Sequence, residues 1–357
     1  MRSSSSSAST TSVKTDDGTH TCFDDVRLWR DEAAMAPPDS VVPSATGCAT
    51  PDRILARRMS VATQPPDEAH TTISVIIACY NAGQTLAEQL EGLAEQEYGE
   101  PWELIIADNG STDDSLALVE RYRPRLATVR VVDASRVQGA AHARNVGAAA
   151  ARGPYLAFCD ADDVVGKGWL RALSRAVQRY DFAASRFEGE RLNPPEVLRI
   201  RQCPQQDGLM TFKYSRFLPF AGACGLAVRR SLFDTLGGFD EELLSGEDID
   251  FCWRAQLSGT ELHFADDAVV HIRLRSEPRE VIRQAEAYGF WTVPLYVRYR
   301  RHGMSPVPWQ AGAWRWLRLL ARAPRLARRS SRTKWLREFA YRRGLLKGSI
   351  RYRTIAL

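Results

Sequence analysis

Apolar runs alternate with amphipathic segments from residue 72 onward. Four runs are long enough for buried strands: TISVIIACYN, WELIIADNG, LATVRVVDAS and YLAFCDADD. Between them lie segments of helical spacing, such as QTLAEQLEGLAEQ, in which Leu86, Leu90 and Leu93 fall on one face. Strands that alternate with helices predict βαβ units, so we expect an α/β fold with a mostly parallel central sheet flanked by helices.

The second half of the chain is less regular. Residues 208–259 contain a glycine-rich turn, a short apolar run and a predicted helix that starts near GEDIDFCWR. The following segment ELHFADDAVVHIRLR is strand-like again and carries His271.

Three regions are predicted along the 357 residues. Residues 1–70 are rich in Ser, Thr, Pro, Asp and Ala without a sustained period, which favours a disordered leader. Residues 71–290 form the α/β domain, and residues 291–357 form a helical, basic tail.

Two features predict a cytoplasmic protein. The seven cysteines are scattered without a C-x-x-C pair, which is typical of thiols in a reducing compartment. No apolar stretch approaches the length of a membrane span, and the N-terminus lacks the apolar core of a secretory signal.

The charge is distributed unevenly. The net charge of the chain is +5, yet residues 298–357 carry seventeen Lys or Arg and one acid, so this segment has a net charge of +16 and the remainder −11. A basic tail on an acidic body needs its own explanation.

The tail has the pattern of an amphipathic helix. In WRWLRLLARAPRLARR, arginines recur every three or four residues along one face, whereas Trp314, Leu317 and Ala321 follow another. Pro324 is expected to end this helix, after which Trp335 and Phe339 renew the pattern. We predict peripheral contact with an anionic membrane, at the inner face of the cell membrane. The alternatives are packing on the acidic body and, least favoured, nucleic-acid binding.

Polar residues follow three of the predicted strands. Asn81, Asp108 and Asp160 each lie just past a strand end. Since ligands of open α/β sheets bind at the carboxyl ends of the strands, these side chains are expected to meet in one crevice.

The acidic turn after YLAFC suggests a cation site. Asp160 and Asp162 are separated by one residue, so both carboxylates can face one point and suit a hard divalent cation that also binds phosphate oxygens. The alternative is an acidic turn in which Asp163 caps the next helix.

A second acidic cluster, Glu247, Asp248 and Asp250, opens the helix of GEDIDFCWR. Helix capping alone explains part of it, but one of these acids held near a cation is a candidate general base. His271 is either a metal ligand or an ordinary histidine of a strand edge.

Arg144 lies near the start of the helical segment GAAHARNVG, where free N–H groups and a guanidinium favour phosphate binding. The alternative is a surface arginine. Neither G-x-G-x-x-G nor a P-loop motif occurs, which disfavours a dinucleotide fold or P-loop enzyme.

The chain resembles family 2 glycosyltransferases of the GT-A fold in five stretches taken in order. These are SVIIACYNAGQTLAEQLEGLAEQ, ELIIADNGSTDDS, GAAHARNVGAAAARGPYLAFCDADD, GLAVRRSLFDTLGGFDEELLSGEDIDFCWR and VVHIR. The resemblance covers residues 72–273 and neither end of the chain. It implies a nucleotide-diphosphate sugar as donor and Mn²⁺ or Mg²⁺ as cofactor.

The resemblance also implies roles for individual residues. Asp108 would bind the nucleobase, Ala78 and Tyr80 the base and ribose, and Asp160 the ribose and metal. Asp162 would be the principal metal ligand, with His271 completing the coordination, and Asp248 would be the catalytic base. Arg144 and Glu247 are placed with the residues that bind the nucleotide-sugar.

The expected reaction is metal-dependent transfer of a sugar to an acceptor hydroxyl, with inversion, in the synthesis of a cell-envelope glycan or glycolipid. The acceptor would be a glycan or a lipid-linked molecule. Two alternatives stay open: a nucleotidyltransferase, which should carry a glycine-rich basic loop after its first strand, and a catalytically inactive protein that binds sugar nucleotides.

Overall fold

The computed structural model describes residues 71–126, 128–212, 217–306, 308–327 and 329–355. In this part of the chain, one eight-stranded sheet has the order β3–β2–β1–β4–β7–β6–β8–β5. Strands β7 and β5 run antiparallel to their neighbours and the other neighbouring pairs are parallel, which confirms the mostly parallel sheet. The strands are β1 Ile73–Cys79, β2 Trp102–Asp108, β3 Thr128–Asp133, β4 Tyr155–Asp160, β5 Val164–Val165, β6 Phe182–Glu188, β7 Leu226–Arg229 and β8 His263–His271.

Helices cover both faces of the sheet. The first three, α1 to α3, are those predicted between the apolar runs, and α7 is the helix predicted at GEDIDFCWR. The helices are α1 Leu86–Ala94, α2 Ser115–Tyr122, α3 Ala140–Ala150, α4 Trp169–Tyr180, α5 Pro195–Ile200, α6 Arg230–Leu236, α7 Glu247–Leu257, α8 Pro278–Tyr299, α9 Trp309–Ala321 and α10 Arg329–Arg351.

The core has two layers, one on each side of the sheet. Strand β1 is apolar along almost its whole length because residues on both of its faces are buried. One layer includes Leu90 and Trp169 from α1 and α4, and the other is rich in aromatic rings, including Phe158, Phe251 and Trp253. Helix α7 is therefore anchored in the aromatic layer, which fixes its first turn relative to the sheet.

The last helices are continuous with the domain. The boundary predicted after residue 290 falls inside α8, and α10 packs along this helix. The contact is so close that a Cβ added at Gly289 would lie 1.9 Å from the carbonyl oxygen of Tyr341. Helix α9 ends at Ala321, and Pro324 lies in a short 3₁₀ turn, as expected for a proline that stops a helix.

The leader predicted at residues 1–70 lies outside the described residues. Within the part of the chain that the structure describes, no helix combines the length and apolar character required to cross a membrane.

Candidate active site

The strand register brings the predicted nucleotide-binding residues to one edge of the sheet. Ala78 at the end of β1 lies opposite Asp160 at the end of β4, and its neighbour Cys79 lies opposite Asp108 of β2. The three parallel strands thus end side by side, and the side chains expected in one crevice are neighbours.

Two loops at this edge are held by side-chain caps. The Asp108 carboxylate accepts the backbone N–H groups of Gly110 and Ser111 at 3.3 Å. Asn81 has φ of 47°, and its Oδ1 accepts the backbone N–H of Thr112 at 2.8 Å. Tyr80, half-buried, lies between Cys79 and this asparagine, so its position is set by the turn. The loops after β1 and β2 therefore support each other.

Arg144 is a buried arginine that joins two parts of the site. Its side chain is 1% exposed, its Nη2 donates to Oδ1 of Asp160 at 2.8 Å, and its Nη1 donates to Oε1 of Glu247 at 2.8 Å. The alternative of a surface arginine is therefore wrong. Because its charge is shared between two carboxylates, Arg144 links the end of β4 to the first turn of α7.

Asp248 is the candidate base, and it follows Glu247 in the same turn. It is 7% exposed, and its Oδ1 accepts the backbone N–H of Ile249 at 2.7 Å. Burial and the neighbouring Glu247 charge raise the pKa of Asp248 to about 7. Burial also raises the pKa of Glu247, although the Arg144 guanidinium opposes this shift. A carboxyl group with a pKa near neutrality suits proton transfer.

The acidic turn after β4 is held by Arg273. The Nε of Arg273 donates to the backbone carbonyl of Asp162 at 3.0 Å, and its backbone N–H donates to Oδ1 of Asp163 at 2.7 Å. Both aspartates are largely buried, Asp162 at 9% exposure. Asp163 thus binds the segment after His271 and is followed by β5. The alternative in which it caps the next helix is wrong, because α4 begins at Trp169 with Gly168 as its N-cap.

His271 lies beside the same turn. It ends β8, opposite Val164 of β5, and its Nδ1 bonds Oε2 of Glu188. Burial raises the pKa of Glu188, but the hydrogen bond from His271 helps to outweigh it, so the pKa is lowered overall. Because the ionised Glu188 accepts the Nδ1–H, Nε2 carries the lone pair in the neutral form of the ring.

One cluster of possible ligand atoms differs in part from the predicted ligand set. Among the described residues, the ligand atoms of Asp160, Asp163 and Cys224 lie within 4.8 Å of one another. Asp160 is common to both sets, whereas Asp162 and His271 are not in this group and stay predicted ligands.

Several residues of the site carry no local signal in the sequence. Glu188 and Arg273 act on His271 and on the acidic turn across the sheet, and Cys224 approaches from the segment before β7. The pairing of Asp250 with Arg254 has the i, i+4 spacing of a helical ion pair, so this contact alone was accessible from the sequence.

Comparison with known proteins shows which family model the chain matches. Residues 74–237 match the family model described as glycosyl transferase family 2. Over this segment the chain is similar to glycosyl transferase family 2. The match includes Asp108, Arg144, Asp160 and Asp162 but ends before α7, so the candidate base lies outside it.

Three curated glycosyltransferases are similar in sequence. Glycosyltransferase GlyG of Streptococcus pneumoniae is 36% identical over 109 residues, 30% of this chain and 36% of the relative. The pre-mycofactocin glycosyltransferase of Mycobacterium tuberculosis is 27% identical over 256 residues, 66% of this chain and 50% of the relative. Poly(ribitol-phosphate) beta-N-acetylglucosaminyltransferase TarS of Staphylococcus aureus is 26% identical over 208 residues, 57% and 36% respectively. The chain therefore spans no more than half the length of these relatives.

A solved structure matches over most of the fold. The mannosyltransferase PcManGT of Pyrobaculum calidifontis, in complex with GDP-Man and Mn²⁺, superimposes with a TM-score of 0.56 at 20% identity, covering 83% of this chain and 92% of that one. This likeness confirms the α/β fold of GT-A type that the sequence predicts.

Proposed function

We propose that this protein is a family 2 glycosyltransferase that transfers a sugar from a nucleotide-diphosphate sugar to an acceptor hydroxyl, with Asp248 as general base. The observation that carries the proposal is the position of Asp248. It is a buried carboxyl group with a pKa raised to about 7, one residue from Glu247, whose pairing with Arg144 ties the turn to Asp160 at the strand ends. Proton transfer and donor binding thereby converge on one site.

The donor occupies the carboxyl edge of the sheet in this proposal. Asp108 reads the base, Ala78 and Tyr80 line the base and ribose, and Asp160 lies at the ribose. Arg144 pairs with both Asp160 and Glu247, which fixes the end of β4 relative to α7. The nucleotide-sugar complex of PcManGT is consistent with a donor of this class for the same fold.

The acidic turn is proposed to hold a divalent cation. Carboxylate oxygens from Asp160 and Asp162, with Nε2 of His271, are donors that suit Mn²⁺ and Mg²⁺. With Nδ1 bonded to Glu188, Nε2 of the neutral ring is the nitrogen that could coordinate metal, which is the usual arrangement for a histidine ligand. A bound cation would neutralise charge on the departing diphosphate.

The chemical step is one displacement. The acceptor oxygen bonds to the anomeric carbon as the bond from that carbon to the diphosphate oxygen breaks, and the nucleoside diphosphate leaves. The acceptor proton passes to a carboxylate oxygen of Asp248, so the atoms and charges balance. Attack opposite the leaving group inverts the anomeric configuration.

The acceptor is proposed to be a glycan or a lipid-linked molecule of the cell envelope. Helix α9 supports a location at a membrane surface. Trp309, Trp314, Leu317 and Leu320 are 59–68% exposed and share one side of α9, whereas Leu319 on the other side is buried. With a net charge of +16 on residues 298–357, such a face suits the interface of an anionic bilayer.

The test is donor consumption. The full chain is incubated with UDP- and GDP-sugars, with Mn²⁺ or with a chelator, and release of the nucleoside diphosphate is measured. Metal-dependent release from one class of donor supports the proposal. Release of pyrophosphate from a nucleoside triphosphate and a sugar phosphate would identify a nucleotidyltransferase. Donor binding without release, even with a panel of glycan and lipid-linked acceptors, would identify a sugar-nucleotide-binding protein.

A further inference from the structure

Asp250 is a fully buried carboxylate on the same turn of α7 as Asp248. It is 0% exposed, and its Oδ2 accepts Nε of Arg254 at 2.7 Å. Its Oδ1 accepts Nη1 of Arg298 at 2.6 Å and the hydroxyl of Tyr299 at 2.7 Å. Both carboxylate oxygens are therefore held, one from within α7 and one from outside it.

The outside partners come from the end of α8. Arg298 uses its second terminal nitrogen, Nη2, for an ion pair with Asp240 at 2.7 Å, in the loop that leads into α7. Tyr299 is 2% exposed and packs edge-on against Trp253 of α7, with 4.9 Å between ring centroids. Arg298 and Tyr299 thus bind both the loop before α7 and the first turn of α7.

The geometry of this contact fixes the turn that carries the proposed base. A guanidinium that bridges two carboxylates constrains both distance and orientation, which a single flexible cation does not. Asp248 and Asp250 are two residues apart on a helix, so they point to different sides of it. If the loss of Arg298 allows α7 to shift at Asp250, Asp248 on the opposite side of the helix therefore moves as well.

We propose that Arg298 and Tyr299 are positioning residues for catalysis, through which the C-terminal helix α8 holds α7 so that Asp248 faces the donor. This inference rests on the proposed function, since it takes Asp248 as the base. Both residues lie 60 or more positions beyond the segment that matches the family model, residues 74–237. The C-terminal helices then position the catalytic base, in addition to their proposed contact with a membrane surface.

The experiment compares four variants of the full chain. Arg298→Met removes the guanidinium, and Tyr299→Phe removes one hydroxyl. Arg298→Lys keeps the positive charge but lacks the two terminal nitrogens that bridge the carboxylates. Arg130→Met is the matched control because Arg130 also pairs a partly exposed guanidinium with a buried carboxylate, that of Glu103, at 2.8 Å. Glu103 lies at the start of β2, away from the strand ends that form the site.

For each variant we measure kcat for release of nucleoside diphosphate, the Kd of the nucleoside diphosphate with Mn²⁺, and the melting temperature. Arg298→Met is expected to lower kcat about 10- to 100-fold, the scale of a misplaced catalytic group, with Kd changed less than twofold. Arg298→Lys should recover part of kcat, and Tyr299→Phe should lose less. Arg130→Met should lower the melting temperature and keep kcat.

Two outcomes overturn the inference: wild-type kcat in Arg298→Met, or an equal loss of kcat in Arg130→Met. If Arg298→Met does not fold, wild-type kcat in both Arg298→Lys and Tyr299→Phe overturns it as well. The proposed function fails separately, when the unmodified chain releases no nucleoside diphosphate or when Asp248→Asn releases it at the wild-type rate.

Discussion

The Nη1 of Arg144 lies 2.8 Å from Oε1 of Glu247, and this contact spans 103 positions of the chain. It joins α3, beneath the strand ends, to the turn that carries the candidate base. The same guanidinium reaches Asp160, so one buried cation balances two carboxylates. The two acidic clusters that the sequence places far apart are thereby parts of one site.

Replacement of Arg144 should destabilise the fold. Arg144→Met leaves the charges of Asp160 and Glu247 without this buried partner, which typically costs about 3–5 kcal/mol in the free energy of unfolding. Urea denaturation measures the change. Arg199→Met, which breaks the exposed pair with Glu196, is the control and should change stability by less than about 1 kcal/mol. Equal stability of the two variants would show that Arg144 does not balance this site.

The close crossing of α8 and α10 should not tolerate a methyl group. Gly289→Ala would place a Cβ 1.9 Å from the backbone oxygen of Tyr341, so the helices must separate. Overpacking of this kind costs up to about 3 kcal/mol, visible as a lower melting temperature. Gly99→Ala is the matched control because no atom lies within 4 Å of its added Cβ. An unchanged melting temperature in Gly289→Ala would mean that α10 does not pack here in solution.

Removal of the predicted metal ligands should separate metal binding from folding. Asp162→Ala is expected to abolish the effect of Mn²⁺ on nucleoside diphosphate binding, and His271→Ala to weaken it less. Glu188→Gln should lower the apparent Mn²⁺ affinity about 10- to 100-fold, because Glu188 orients His271. Thermal shifts at a series of Mn²⁺ concentrations measure all three, with the exposed Asp267→Ala as control. Wild-type Mn²⁺ dependence in both Asp162→Ala and His271→Ala would remove these residues from the ligand set.

The exposed face of α9 should govern membrane binding. Replacing Trp314 and Leu317 together by serine is expected to reduce co-sedimentation with anionic vesicles, since both side chains are more than half exposed and neither forms the core. Leu257→Ser, at an exposed leucine of α7, is the control. Binding of the unmodified chain that disappears at high salt assigns the affinity to the basic residues. Equal pelleting of the double variant and the control would contradict the assignment of this face.

The sequence predicted the elements whose signal is local. Strands β1 to β4 and helices α1 to α3 lie where apolar runs and helical periods indicate. Strands β1, β2 and β4 are buried on both faces and therefore read as continuous apolar runs, whereas the edge strand β3 is buried only at Val129. Asp108 and Asp160 were located in the same way, because each ends an apolar run. The carboxyl ends of parallel strands lie at one edge of the sheet, so these two acids come together there.

The rest depends on contacts between distant residues. Trp314 and Trp335 occupy similar amphipathic patterns, yet Trp314 is exposed whereas Trp335 stacks on Phe339 and donates its Nε1–H to the carbonyl of Leu319. Only the pairing of α9 with α10 distinguishes them. The contact of Asp250 with Arg298 likewise follows from the packing of α8 on α7, which no periodicity of either helix reveals.

The pH dependence of donor turnover tests the central claim most directly. General-base catalysis requires Asp248 to be ionised, and its pKa is raised to about 7, so kcat/KM should rise about tenfold per pH unit below pH 7 and level off above it. Asp248→Asn should keep nucleoside diphosphate binding, lose about 100-fold or more in kcat, and lack this rise. A variant that matches the wild-type rate and pH profile would contradict the assignment of Asp248 as the base.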